Sequence, residues 1–275
     1  MFTKTCLDLW KEEGKQIGIV TFCRDLDQAI GTGITVGMIT EFCGPPGSGK
    51  TQMCLQLCIN VQIPLQLGGL GAKAVYFDTN VGFHPLRLEE IATACVRHCQ
   101  KVVLTNKGEL ASATNNFTVD SLMDGVYYKH IHGIDEMLDG IDTLEKLFKV
   151  GDKIKLVVID SISFLIRNNI ESTLERIRVD HIILTKLHVL AQRYKCAIVI
   201  TNDVTTRFNG QDGSRIVPAL GDAHSHKINQ RIVLGQGIDD QPGLGIASID
   251  KGLFRTRMAV KFQISQDGIR GVKKR

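Results

Sequence analysis

Apolar, β-branched runs bounded by turn residues recur along the chain at 38–43, 74–78, 126–131, 154–160, 196–201, 230–234, 246–250 and 258–264. Each has the length and composition of a strand. Several, such as Leu156-Val157-Val158-Ile159, are continuously apolar rather than alternating, the pattern of a strand covered on both faces. Helical spacing fills the intervals at 51–61, 85–100 and 172–194. The third interval opens on the capping box Ser172-Thr173-Leu174-Glu175 and repeats Leu174, Ile177, Ile183, Leu184, Leu187, Leu190 and Ala191 on a helical period. Strand and helix alternate, which predicts an α/β domain around a mostly parallel, doubly wound sheet. After residue 230 strands follow one another with no helix between them, predicting antiparallel hairpins at the C-terminal end. Residues 100–124, polar and rich in Asn, Thr and Ser, are the least defined connection, and residues 1–13 fit a short amphipathic helix carrying Leu7, Leu9 and Trp10.

Composition narrows this picture. At 275 residues, 43% hydrophobic and 23% charged, the chain can bury the core of one large domain and is no disordered tail. No apolar stretch reaches the ~18 residues of a membrane span, and the N-terminus runs into Lys11-Glu12-Glu13 rather than an apolar signal core. Neither secretion nor a membrane partner is expected. The eight cysteines include no Cys-x-x-Cys; Cys54/Cys58 and Cys95/Cys99 stand four apart on predicted helices, with His98 as a conceivable extra ligand. Reduced core thiols are the preferred reading. Charge is uneven: the 25 residues from Lys251 to Arg275 carry a net +7, leaving −3 on the rest of a +4 chain. The basic end predicts a polyanion contact or a nuclear-import signal at Lys273-Lys274-Arg275, with a merely solvated tail as the alternative.

The chemistry is concentrated at Gly44-Pro45-Pro46-Gly47-Ser48-Gly49-Lys50-Thr51, which matches G-x-x-x-x-G-K-[ST] between a predicted strand and a predicted helix. Glycines let the backbone turn its amides inward, and the helix N-terminus adds positive potential. Lys50 is placed to reach the β- and γ-phosphates of ATP and the Thr51 hydroxyl to ligate Mg²⁺. Leu156-Val157-Val158-Ile159-Asp160 supplies the complement, an apolar strand ending in a carboxylate that holds Mg²⁺ through its water shell.

These residues resemble the eukaryotic RecA-type recombinases and their paralogues, most closely the C-type paralogue. The resemblance is carried by 40–52 with Asn60-Val61-Gln62-Ile63-Pro64, by Leu26-Asp27 leading to Gly31-Thr32-Gly33, and by Val75-Tyr76-Phe77-Asp78-Thr79. It continues through Ala92-Thr93-Ala94-Cys95, Val157-Val158-Ile159-Asp160-Ser161, Thr201-Asn202 and Val217-Pro218-Ala219-Leu220-Gly221. It implies an N-terminal helix or linker at 1–16, a RecA-like ATP-binding core at 17–270 and a basic tail at 271–275, with almost nothing of the N-terminal helical domain of longer members. It further implies homologous recombination and repair of DNA double-strand breaks in the nucleus, in mitotic or meiotic cells. The chain would act among other recombinase paralogues and the main strand-exchange recombinase, on single-stranded or branched DNA, with ATP held between protomers. By position, the first DNA-facing loop contains residues 164–169 and the second runs from Val204 to Val217, making Arg167, Arg207 and Arg215 candidate phosphate contacts. Arg87 falls where the family sets an arginine against adenine, and His226 where some members sense the neighbour's nucleotide.

The chain departs from the family twice. Asn80 stands where ATP-hydrolysing members carry the glutamate that activates water, and an amide takes no proton. Glu41 and Asp78 are the available substitutes. Asp203 stands where the family has a glutamine that passes the nucleotide state to the DNA loop. The resulting expectation is an ATP-binding subunit with weak or absent hydrolysis. A fully active DNA-dependent ATPase and a nucleotide-stabilised scaffold without DNA contact remain as alternatives.

Overall fold

The computed structural model describes residues 5–8, 18–31, 33–105, 116–208, 214–237, 242–252 and 258–272. Its centre is β1 (Ile39–Cys43), all five residues of which are buried. β1 pairs in parallel with β5 (Ala197–Asn202) on one side and β8 (Gln230–Gln236) on the other. Beyond β5 the parallel set continues through β4 (Ile154–Asp160) and β2 (Lys73–Asp78) to the edge strand β3 (Val126–His130). Beyond β8 the chain folds back on itself through β9 (Leu244–Lys251), β10 (Ala259–Ser265) and β11 (Gly268–Gly271), all antiparallel. One nine-stranded sheet results, ordered β11-β10-β9-β8-β1-β5-β4-β2-β3. This is the expected RecA-like architecture.

Both faces are covered, which is why the central strands read as unbroken apolar runs. On one face α1 (Arg24–Ala29), α2 (Lys50–Asn60) and α3 (Pro85–Thr105) close a core around Phe42, Leu55, Tyr76 and Phe262. On the other, α5 (Ile134–Lys149), α6 (Ile162–Asn169) and α7 (Thr173–Tyr194) close a second around Phe77, Ile159, Leu187 and Ile198. Neighbours Tyr76 and Phe77 fall into different cores because successive strand residues point to opposite faces. At the start of α7, Ser172 accepts a hydrogen bond from the Glu175 amide, as a helix cap should.

Elsewhere the structure adds to the sequence reading or corrects it. The segment expected to be the first DNA-facing loop is helix α6, capped by Ser161, whose side chain accepts from the Phe164 amide. The second is a two-stranded antiparallel hairpin, β6 (Val204–Phe208) with β7 (Ser214–Pro218). Helices α1 and α5, the short helices α4 (Val119–Asp124) and α8 (Gly221–Lys227), and strand β11 were also unanticipated. Of the proposed N-terminal helix, residues 6–8 form a helical turn with Leu7 exposed, and Leu9 and Trp10 lie outside the described residues, as do Arg255, Arg257 and 273–275 of the basic end. The cysteines are free thiols, all buried except Cys6. Among the described residues no cluster of three metal-ligating side chains forms, and no helix is long and apolar enough to cross a membrane.

Candidate nucleotide-binding site

The chain leaves β1 at Cys43 and turns through residues 44–49 into α2. The turn needs its glycines: Gly47 (φ 77°) and Gly49 (φ 97°) occupy the left-handed region that a side chain disfavours. At Gly44 the obstacle is space, because a Cβ there would stand 2.3 Å from the Leu234 carbonyl oxygen. The Gly44 amide donates to Asn202 O at 3.2 Å, tying the loop to the end of β5. Since α2 starts at Lys50, the unpaired amides of its first turn open onto this loop, a cradle suited to phosphate. Pro45, Pro46 and Gly47 are exposed, while Ser48 is buried with no partner for its hydroxyl. The Lys50 ammonium folds over the loop, donating to Gly44 O (2.7 Å) and Pro45 O (3.2 Å) and pairing with Asp203 Oδ1 (3.1 Å).

Asp160 ends β4, between β5 and β2, and the sheet order brings three hydroxyls to it. Its Oδ2 accepts from Thr51 Oγ1 (2.6 Å) and Tyr76 OH (2.7 Å), and its Oδ1 from Thr201 Oγ1 (2.5 Å). A carboxylate only 2% exposed survives burial because both oxygens are hydrogen-bonded. Thr51 and Asp160 together form a hard-oxygen pair of the kind Mg²⁺ prefers. Tyr76 and Thr201 were not assigned roles from sequence; their signal is their place at or near the C-terminal ends of strands flanking β4.

Neither substitute for a water-activating glutamate is free to act. Asp78 braces the turn after β2, accepting from the amides of Asn80 (3.2 Å), Gly82 (3.1 Å) and Phe83 (3.1 Å) and from Tyr128 OH (3.3 Å). Glu41 shares a face with Ile39, on the side of the sheet away from α2. There it accepts from Asn202 Nδ2 (2.7 Å), bonds His224 Nε2 (3.0 Å) and pairs with Arg231. Burial by itself raises its pKa, but the bonds and charges of His224 and Arg231 outweigh that and hold it below the ordinary carboxylate value. Asn80 itself is exposed.

Arg87, in the first turn of α3, links three elements beside the loop. It donates to Gln52 Oε1 (2.8 Å) and Glu90 Oε2 (2.6 Å), and to the carbonyls of Ser265 (2.6 Å) and Gln266 (2.8 Å). On the far side of the loop, Arg207 and Arg215 are exposed and directly opposite each other in the β6–β7 register. Arg207 pairs with Asp222 at 3.6 Å. Arg167 joins Arg207 and the unanticipated Arg176 along a cleft of about 270 Å³, and Arg207 and Arg215 line a second, of about 410 Å³, with His226, Arg231 and Lys251.

The sequence model of the Rad51 family matches residues 13–272. The chain belongs to the Rad51 family. It is 32% identical over 267 residues to "DNA repair protein RAD51 homolog 3" of Cricetulus griseus, a match covering 97% of this chain and 72% of that protein. It is 36% identical over 217 residues to the protein of the same name from Dictyostelium discoideum, covering 78% of this chain and 56% of that one. The chain thus spans little more than half the length of the second relative. The resemblance drawn from the motifs is confirmed at the level of the family, and the relatives carry the same paralogue number.

Proposed function

We propose that the chain is an ATP-binding recombinase paralogue that serves in the nucleus as a subunit in homologous recombination and DNA double-strand break repair, hydrolysing ATP slowly or not at all. One observation carries the reading: Lys50, Thr51 and Asp160 converge on a glycine-shaped loop, while Asp78 and Glu41, the two substitutes for a water-activating glutamate, are committed elsewhere. The left-handed glycines and the opening of α2 fit a polyphosphate, and the Thr51–Asp160 pair fits Mg²⁺. Bound MgATP supplies a polyanion that joins neighbouring elements and a γ-phosphoryl group open to attack by water. The loop amides and Lys50 would hold the phosphates, Thr51 with Asp160 behind it the metal, and Arg87 the adenine side. Asn80, an amide, accepts no proton, which forfeits the ~10²–10⁴-fold that a general base contributes. The names of the relatives support a role in DNA repair, and the arginine-lined clefts support DNA contact through Arg167, Arg207 and Arg215. Other paralogues and the strand-exchange recombinase are the expected partners.

Calorimetry with ATP and Mg²⁺, followed by phosphate release, tests this. The expected result is Mg²⁺-dependent binding, lost in Lys50→Ala, with turnover far below about once per minute, against roughly 1–10³ per second for ordinary enzymes. Unchanged ATP affinity in Lys50→Ala would remove the site. Co-purification with metabolic enzymes instead of recombination proteins would remove the cellular role.

A further inference from the structure

Arg97 and His98 stand four and three residues before Lys101 on α3, so the three share one stripe of that helix, and all are exposed. Arg270 of β11 lies beside them. Burial first, then the charges of Arg270 and Lys101, hold the His98 pKa below its ordinary 6.5. Burial lowers that of Arg270 as well; Asp267 and Cys95 oppose this and Arg97 adds to it. The carboxylate of the group is Asp267, which pairs with Arg97 at 2.6 Å on an open surface. Among the described residues Lys101 and Arg270 join no ion pair, and Arg270 donates only to the carbonyl of Ile269, at 2.6 Å. Exposed cations on α5 and α7 are arranged differently, since Lys149, Lys186 and Arg193 each meet a carboxylate.

A second observation is independent of charge. Phe22 has φ 63°, a left-handed backbone that a bulky residue adopts only where its surroundings enforce it. The ring so placed has the Arg270 guanidinium 5.0 Å from its centroid and the His98 ring 5.1 Å away, tilted by 55°. Phe22 therefore backs an exposed imidazole and a guanidinium, two planar groups on which a base can stack.

We propose that this face, where α3 meets β11, is a second contact for single-stranded DNA, with Lys101, Arg97 and Arg270 on its phosphates and His98, backed by Phe22, stacking on a base. It is separate from the hairpin, because β11 stands five strand spacings from β5, about 24 Å. The sequence continues from Arg270 to Lys273, Lys274 and Arg275, whose backbone at ~3.5 Å per residue reaches no farther than about 18 Å, so the basic end extends the same track. Planar groups among cations suit a single strand, whose bases are free to stack. A duplex keeps its bases inside, and an acidic peptide has none. The inference rests on the DNA part of the functional reading and not on the nucleotide site.

The test is anisotropy of a fluorescent oligothymidine with the full chain across salt, for wild type, Lys101→Ala, Arg270→Gln, His98→Ala and His98→Phe, beside Arg207→Ala. Lys101→Ala and Arg270→Gln should each reduce the slope of log affinity against log salt by about 0.7–1, and do so again in the Arg207→Ala background. Lys101 is exposed, so its variant reads binding rather than folding. His98→Ala should weaken binding about fivefold or more, and His98→Phe, which keeps a stacking plane, should restore it. In NMR the His98 ring should titrate at higher pH with the oligonucleotide bound, as phosphate offsets Arg270 and Lys101. If only Arg207→Ala changes the slope, DNA contact is confined to the hairpin and the proposal is overturned while the functional reading stands. If inorganic phosphate moves His98 as far as the oligonucleotide does and the slopes stay put, the cluster holds free anions only and the proposal again fails. Competition by polyglutamate at equal charge, with no loss in His98→Ala, would assign the face to a protein. If the wild type binds no oligonucleotide at all, the DNA reading falls and this inference with it.

Discussion

His224 and Glu41 meet at 3.0 Å with neither side chain reaching solvent. The other ring nitrogen of His224 lies 2.8 Å from Asp180 of α7, and Arg231 of β8 completes the group on Glu41. Both ring nitrogens face carboxylate oxygens, which only accept, so both carry hydrogen and the ring is charged. Two cations then balance two anions in the core. Burial alone lowers the pKa of His224, but the bonds to Asp180 and Glu41 prevail and raise it from 6.5 to about 9. A folded-state pKa above the unfolded one means stability that is fully present below pH 6.5 and lost as pH rises through about 9. Glu41, held below its ordinary 4.5, gives the mirror case, with stability present above that pH and lost on acidification. Urea unfolding should therefore show a plateau between these limits and a fall on the order of 3 kcal/mol toward pH 9. His224→Gln should flatten the alkaline limb, and a flat limb in the wild type would contradict the charged ring.

Among the described residues Thr201 is the one hydrogen-bond partner of Asp160 Oδ1, whereas Oδ2 is shared by Thr51 and Tyr76. Removing the Thr201 hydroxyl strands a buried carboxylate oxygen, at about 1–3 kcal/mol. Thr201→Val should thus destabilise more than Tyr76→Phe and weaken Mg²⁺-dependent ATP binding, with Thr201→Ser restoring both. Thermal melts and calorimetry decide this; equal losses in the two variants would mean that the hydroxyls are not separable supports.

Arg207 and Arg215 are like charges directly opposite on a two-stranded hairpin, a repulsion that the single ion pair of Arg207 with Asp222 offsets only in part. DNA phosphate is the expected further anion. Arg207→Ala and Arg215→Ala should each reduce the slope of log affinity against log salt for single-stranded DNA by about 1. Anisotropy titrations across salt provide the slope, and an unchanged slope in both variants would take the hairpin out of the DNA surface.

What the chain shows before folding depends on how local the signal is. Strands β4 and β5 are legible because burial on both faces leaves unbroken runs such as Leu156–Ile159. Strands β6 and β7 are not: Thr205, Thr206, Arg207, Ser214, Arg215 and Ile216 are exposed, so no core face marks them. Helix α5 did carry a helical period in Met137, Ile141, Leu144 and Phe148, with acids in its first turn and lysines in its last. Gly140 at its middle argues against a helix on propensity alone. The reason for that glycine is tertiary, since a Cβ there would come 3.2 Å from the Phe77 ring. In the candidate site, the phosphate loop is one contiguous motif and Asp160 ends an obvious strand. The partners Tyr76, Thr201 and Asp203 come together only through the order β5-β4-β2 and the closure of a hairpin, which no sequence spacing encodes.

Asn80 offers the most direct test of catalysis. It follows the braced turn at Asp78, and its amide lies over Gly82, where a Cβ would stand 2.8 Å from Asn80 Oδ1. Because the side chain is exposed, replacing it costs little stability, so a change in rate reads chemistry rather than unfolding. Asn80→Glu supplies a group able to accept a proton beside a loop that already positions Lys50, Thr51 and Asp160. Phosphate release should rise by about 10²-fold or more. Asn80→Gln, equal in length to the glutamate but neutral, should leave the rate where it is and so separates charge from reach. Asp78→Asn should instead loosen the turn without abolishing whatever turnover exists, since both Asp78 oxygens are taken up by backbone amides of that turn. A fast wild-type rate indifferent to Asn80→Glu would mean that a group from outside this chain performs the step, and the slow-turnover reading would be wrong.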